Sequence, residues 1–509
     1  MKVKLFYGLL FALLSVVLVA GSGLAAGMET FVMGLPGDAR SLDPHKAADT
    51  MSFTVIRHIN EPLVTVDGKS RRLVPVLAER WEMIDPQTYK FYLKKGVKFH
   101  NGNDFTAEDV VFSLKRAASP ESMHAGSRGK FIDPEGFEII DDHTVIVKTR
   151  GPIGGWLETM KHPYANIFSK KSVEEAGEEY FRNPVGTGPF KFKNWIRGER
   201  IELASFDGYH GKKPNFENLT FMVLPDTSSR VIALETGKVD MIYGVPSSDQ
   251  ERLKNSPDVQ IVEATGLRLM YLGMNMEKKP LDDIRVRQAI EYAINKEAYS
   301  AVVYQRNAVI AKGPLPGAST FSPEVKKHHS VDLEKAKALL AEAGYPNGMT
   351  LELWTSNFQD RVDGATIIQA MLSQIGIQAN IQVFEAGAFN TRMNGNEHDL
   401  FIGQWGMQTS RDAGTFWTSL FYSGGIGATN WGRLRDSEID ALIEKAQLTV
   451  NDAERSEWLQ KIWDRLNEMT PMVPIVVPDE IYATRKNLEG VKDLADGQIN
   501  YLGDLLLKK

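Results

Sequence analysis

Cysteine is absent from the 509-residue chain. That excludes disulfide frameworks, thiolate metal sites, iron–sulfur ligation and a cysteine nucleophile together. It also excludes the lipid anchor of a bacterial lipoprotein, which needs a Cys just after its signal peptide. No charge of one sign dominates: 59 Lys and Arg stand against 65 Asp and Glu, a net −6, with no basic block. Nothing therefore draws the chain to nucleic acid or anionic lipid. Beyond the N-terminus no stretch approaches the ~18 uninterrupted apolar residues of a membrane span. Low-complexity tracts, long linkers and obvious repeats are missing as well. What remains is ordinary globular usage, 43% hydrophobic and 24% charged, at a length that implies roughly two to four domains.

Catalytic signatures are also lacking. The mature chain has no Gly-x-Ser-x-Gly elbow, no Ser-x-x-Lys at a strand–helix turn and no His-Glu-x-x-His. Ten histidines are scattered, and the one adjacent pair, His328-His329, reads as solvated loop rather than metal site. Gly186-Thr187-Gly188 lacks the third Gly and the Lys of a phosphate loop and reads as a tight turn. Asp282-Asp283 reads as a helix cap, and Glu174-Glu175 with Glu178-Glu179 as a solvated helix face. Among 65 acidic residues some pair could still meet in a cleft. Positive evidence for catalysis, a metal or a cofactor is absent, which favours a binding protein.

The N-terminus carries a signal. Lys2 and Lys4 precede an apolar run from Leu5 to Ala20, and Gly21-Ser22-Gly23-Leu24-Ala25-Ala26 supplies small residues for cleavage. The expectation is a signal peptide over 1–26 and a soluble periplasmic protein with no membrane insertion after cleavage.

Short β-type runs then alternate with periodic helices. Thr30-Phe31-Val32-Met33 predicts a strand, Tyr89 to Leu93 alternates with period two, and Phe137 to Ile140 with Thr144 to Lys148 predicts a hairpin around Asp141-Asp142. Ala107 to Ala117 reads as a short helix in this β-rich first third. Further on, Asp282 or Asp283 can cap a helix through Val286, Ile290, Ala293 and Ile294, and Asp332 one over Leu333 to Ala343 that stops at Gly344. Leu351 to Trp354, a helix with Ile367, Ile368, Met371, Leu372 and Ile375 on one face, Gly376, then Ile377 to Val383 predicts a right-handed parallel crossover. Trp458, Leu459, Ile462, Trp463 and Leu466 mark another helix, and Pro474 to Val477 another strand. The class is α/β.

One stretch is unusual in composition. Phe401, Trp405, Phe416, Trp417, Phe421, Tyr422 and Trp431 make the segment 401–431 roughly a quarter aromatic, against 9% for the chain. Six glycines and the run Gln408-Thr409-Ser410-Arg411-Asp412 lie among them. Rigid aromatic surface beside a few polar groups is what lines ligand pockets. Phe401 and Phe421 are expected in the core, Trp405 and Trp417 facing ligand.

The ordered blocks Leu42-Asp43-Pro44-His45, Asn60-Glu61-Pro62-Leu63-Val64, Leu77-Ala78-Glu79-Arg80-Trp81, Leu93 to Gly102, Phe105 to Ser113, Asn183 to Phe190, Arg285 to Ala289 and Leu340 to Pro346 carry a resemblance. Over essentially its mature length the chain resembles the solute-binding proteins of dipeptide, oligopeptide, glutathione and nickel ABC importers. The resemblance implies a class II periplasmic-binding-protein-like fold, two lobes on a hinge with an inserted β-rich domain. Lobe I would comprise 27–60, 185–276 and 482–509, the inserted domain 61–184, and the other lobe 277–481. It implies a monomer that captures a peptide-like solute and delivers it to the permease subunits of an ABC importer. Dipeptide-binding members hold the ligand's ammonium with an Asp three residues beyond a Trp, where Trp405-Gly406-Met407-Gln408 places Gln408. Asp412 could reach the same point through a shifted loop. The carboxylate-binding Arg of the family has its near match in Arg361, and Asp49-Thr50-Met51-Ser52 looks closest to glutathione-type binders, adding Met51. Other ligands on this fold (a nickel chelate, haem, an opine or a sugar) and an exported hydrolase are the alternatives.

Overall fold

The computed structural model describes residues 28–507 apart from 48, 68–71, 265, 316–320, 326–329, 407–411 and 492–501. The expected signal peptide, His328-His329 and Gln408 lie outside the described residues. The first predicted strand extends over Met28–Leu35 and runs parallel to Phe216–Val223 on one side and Met241–Tyr243 on the other. These three join Val259–Ala264, Glu480–Arg485, Arg200–Ser205 and Phe190–Ile196 in one seven-stranded sheet. Phe31, Met33 and Leu35 alternate onto one face and bury against Phe53, Val55, Ile56 and Ile59 of the helix Thr50–Ile59. Each such side chain contributes roughly 1.5–3 kcal/mol by leaving water. The helix starts where the Asp49 carboxylate accepts the Ser52 amide at 2.9 Å.

The β-rich first third builds its own sheet. Ala78–Asp85, Thr88–Leu93, Thr144–Thr149 and Ile132–Asp141 pair antiparallel in that order. Tyr89, Phe91, Val145 and Val147 point inward to Val110, Leu114 and Ala117 of the helix Ala107–Ala118. Thr106 and Asp109 close that helix with a reciprocal capping box. Glu174, Glu175, Glu178 and Glu179 are exposed, and Glu178 pairs with Lys46 at 2.9 Å. Gly186-Thr187-Gly188 is an irregular bend rather than the expected tight turn: it packs against the Ile59 backbone, Gly188 N donating to the Ile59 carbonyl at 2.9 Å and the Thr187 hydroxyl to Glu61.

A six-stranded sheet carries the C-terminal half, in the order Ala308–Ile310, Met472–Pro478, Arg268–Met274, Leu400–Gly406, Met349–Ser356, Ile377–Phe384. The predicted crossover is present: Met349–Ser356 and Ile377–Phe384 pair in parallel on either side of the helix Gln359–Ser373. Ile368, Met371, Leu372 and Ile375 are buried, while Ile367 packs at the edge of this core. Asp283, rather than Asp282, caps Ile284–Ala293, and Ile294 leaves the helix as its extended C-cap, still buried. Even-numbered strand residues such as Met270, Leu272 and Ile402 face these helices. Leu269, Tyr271 and Phe401 face the opposite layer of Ala413–Phe421, Ser437–Leu448 and Asp452–Met469.

Among the described residues two adjacent crossings join the large sheets, between Ala264 and Arg268 and between Pro478 and Glu480. Gly266 passes so close to the Pro478 carbonyl that a Cβ there would collide with it. A two-stranded neck of this kind is a hinge.

Candidate functional site

In open α/β sheets, ligands bind in the crevice outside the carboxyl ends of the strands. Here Met349–Ser356 and Leu400–Gly406 run parallel, with Leu353 opposite Leu400, so Ser356 and Gly406 end at the same edge. The helix Gln359–Ser373 begins at that edge and places Arg361 in its first turn. Arg361 is 6% exposed. Its Nη1 donates to Ser356 Oγ at 3.1 Å, its Nη2 donates to Gln404 Oε1, and its guanidinium lies 4.5 Å from the centre of the Phe358 ring. Phe358 itself is 53% exposed. Among the described residues Arg361 forms no ion pair, and its buried Nε has no hydrogen-bond partner. Burial pushes its pKa down, but a guanidinium starts so high that it stays charged.

Gln404, on the strand beside Trp405, is exposed, and Arg268 Nη1 approaches the same Oε1 at 3.3 Å. Arg268 also stands 3.5 Å from Asp360, which accepts the Tyr304 hydroxyl at 3.0 Å. Sequence reasoning missed Arg268 and Gln404. Their one local signal is a polar side chain at the end of an apolar strand, Gln404 after Phe401-Ile402-Gly403 and Arg268 before Leu269-Met270.

Trp405 ends the same strand but faces the other layer, half-buried, with its ring 6.1 Å from Phe416. Arg361 and Trp405 thus share one edge of the sheet from its two faces. Trp417 does not join them. It is 0% exposed and stacks on Trp463 at 6.3 Å and 15°, so the expectation that it faces ligand is corrected. The segment expected as a ligand-lining loop is in part the helix Ala413–Phe421, which turns Phe416, Trp417, Leu420 and Phe421 into the core. Phe401 and Phe421 are buried as expected.

Asp412 is corrected too. It caps that helix by accepting the Thr415 amide at 2.9 Å, and it binds Arg455 through two hydrogen bonds of 2.6 and 3.0 Å. The side chains of Arg455 and Asp412 are 2% and 5% exposed. A carboxylate engaged in this way is not available for a ligand ammonium. Met51 stands across the hinge, half-buried in the first turn of Thr50–Ile59, packed on the core of the seven-stranded sheet.

The two sides of the hinge also meet directly. Gly154 N donates to the Gln447 carbonyl at 2.5 Å, and Gly154 and Gly155 press on the Arg455 side chain with no room for a Cβ at Gly154. Beside them, burial raises the Glu158 carboxyl to about 7, with Asp412 and Asp452 adding to the shift.

Residues 72–427 match the family described as bacterial extracellular solute-binding proteins, family 5. The dipeptide-binding protein of Escherichia coli K12 is 32% identical over 446 residues, 82% of this chain and 83% of that protein. The glutathione-binding protein GsiB of Pectobacterium atrosepticum is 30% identical over 468 residues, 90% of each chain. Among solved structures, the ABC transporter-associated periplasmic binding protein DppA of Helicobacter pylori, in complex with the peptide STSA, superposes with a TM-score of 0.80 at 28% identity, covering 95% of this chain and 99% of that one. The α/β architecture is therefore the two-lobed class II-like fold of those proteins, and the chain belongs to the family 5 bacterial extracellular solute-binding proteins.

Proposed function

We propose that this protein is a periplasmic receptor of an ABC importer that captures a peptide-like solute by its carboxylate and hands it to the permease. The observation that carries this reading is Arg361, a buried guanidinium with no acidic partner among the described residues, at the crevice edge of the sheet. A planar guanidinium binds a carboxylate through two parallel hydrogen bonds, stronger than neutral ones. The relatives that bind dipeptides, glutathione and the peptide STSA support a ligand of that kind. Trp405, Gln408 and Met51 are the further contacts, and the ligand is released unchanged. The protein acts as an exported monomer, cleaved near residue 26. We take its three parts as 27–60 with 185–276 and 482–509, the insertion 61–184, and 277–481, with the two lobe boundaries shifted to the crossings at 264–268 and 478–480, because the strand Arg268–Met274 belongs to the six-stranded sheet and Glu480–Arg485 to the seven-stranded one.

A second reading follows from Asp412. Its engagement with Arg455, and a Gln at position 408, leave the ammonium of a simple dipeptide without a counter-charge there, and an unpaired buried charge is costly. A carboxylate ligand without a free ammonium, an opine or a blocked peptide, fits that arrangement.

Native mass spectrometry of mature protein purified without refolding, followed by calorimetry with dipeptides, glutathione, N-acetylated dipeptides and peptide amides, decides between them. Arg361→Gln is expected to cost a carboxylate ligand over ~1.5 kcal/mol and to leave its amide unaffected. A protein that answers to no carboxylate, or that converts the ligand, would overturn the proposal.

A further inference from the structure

Two guanidinium groups converge on one neutral oxygen. Arg361 Nη2 and Arg268 Nη1 both donate to Gln404 Oε1, although like charges repel at such separations. The nearby carboxylates are already engaged. Asp360 accepts the Tyr304 hydroxyl at 3.0 Å and pairs with Arg268 at 3.5 Å, and Glu480 accepts the hydroxyl of Tyr243, its neighbour in the seven-stranded sheet, at 2.8 Å. Among the described residues the buried Nε of Arg361 has no partner. The oxygen between the two cations belongs to an exposed side chain that can swing away, and a negative oxygen in its place would be held more strongly than an amide carbonyl.

We propose that Arg268 and Arg361 form a two-guanidinium clamp for one carboxylate of the ligand, the Gln404 amide oxygen holding the place that a ligand oxygen takes. This rests on the reading of Arg361 as the carboxylate anchor and adds a second group to it. Arg268 is the first strand residue after the crossing from Ala264, whereas Arg361 stands inside the C-terminal lobe. A ligand gripped by both is therefore tied to the neck about which the lobes turn. The clamp selects a planar, anionic, two-oxygen group and rejects a peptide amide.

Gln404→Glu places a carboxylate between the cations without any ligand, so the clamp can be tested apart from ligand identity. The melting temperature of full-length mature protein is measured for Gln404→Glu alone and in the Arg268→Gln and Arg361→Gln backgrounds. The expected result is a rise of about 2–4 °C in the otherwise native protein that is lost in each arginine background. A gain abolished by Arg361→Gln but intact with Arg268→Gln would overturn the clamp and leave the Arg361 anchor standing. No gain in the native background would also overturn it. Arg268→Met replaces Arg268→Gln should the latter fail to fold. The anchor itself is tested separately, by the peptide panel.

Discussion

Asp412→Asn is expected to weaken the C-terminal lobe rather than to change which charges the ligand may carry. Asparagine caps a helix about as well as aspartate, so the Thr415 contact survives and the substitution isolates the ion pair. Arg455, with a side chain 2% exposed, would then keep the Ala446 carbonyl at 2.9 Å and the amide oxygen standing where Oδ2 caps Thr415, but it would lose the carboxylate charge and the 2.6 Å contact of Nη1 with Oδ1. Leaving a buried guanidinium without its carboxylate costs about 3–5 kcal/mol. Asp412→Ala should cost about 1 kcal/mol more, because the cap is lost as well. Trp417 stacked on Trp463 lies in the same core, so intrinsic fluorescence in urea reports on this lobe. The first transition should move down by about 1–2 M, and since several cores are present, transitions are compared rather than a single unfolding free energy. An unmoved transition together with a selective loss of cationic ligands would refute the reasoning and return Asp412 to the ligand site.

Two further outcomes follow from titration. His45, His58 and His100 are held neutral, at about 3, 4 and 4, chiefly by burial, and each also accepts a hydrogen bond, from Arg116, Leu502 N and Gly186 N respectively. Their folded pKa values lie below the unfolded value of about 6.5. Unfolding therefore takes up protons below pH 6.5, and each ring removes about 1.4 kcal/mol per pH unit as pH falls from 6.5 towards 4; a melting temperature flat between pH 6.5 and 4.5 would contradict this. Glu158 has the opposite sense. Its folded pKa is raised to about 7 where Gly154 and Gly155 meet the C-terminal lobe, so that contact is favoured with the carboxyl protonated and weakens as pH rises through 7. Ligand affinity by calorimetry should fall roughly threefold to tenfold from pH 6 to pH 8, and Glu158→Gln should abolish that dependence; a variant with an unchanged slope would sink the argument.

Much of the secondary structure was legible because its signals are local. The alternation of Tyr89 to Leu93, the caps at Asp283 and Asp332, and the helix stops at Gly344 and Gly376 all act within a few residues of the backbone they shape. Periodicity was enough to find the parallel crossover of 349–384. It failed in the segment 401–431, where alternating aromatics and glycines read alike whether a ring faces core or crevice. A strand placed Trp405 at the edge and a helix turned Trp417 inward.

By itself the sequence determined the α/β class, the β-rich first third, the family and the kind of side chain that could hold a carboxylate, since these rest on local pattern and on ordered blocks along the chain. Only the tertiary structure decided which charges are spent and which remain open. The partner of Asp412 is 43 residues away, and the oxygen shared by Arg268 and Arg361 belongs to a residue 136 positions from one and 43 from the other. Whether a charge is paired depends on what the fold brings within about 3 Å of it, and a linear order of residues does not carry that distance.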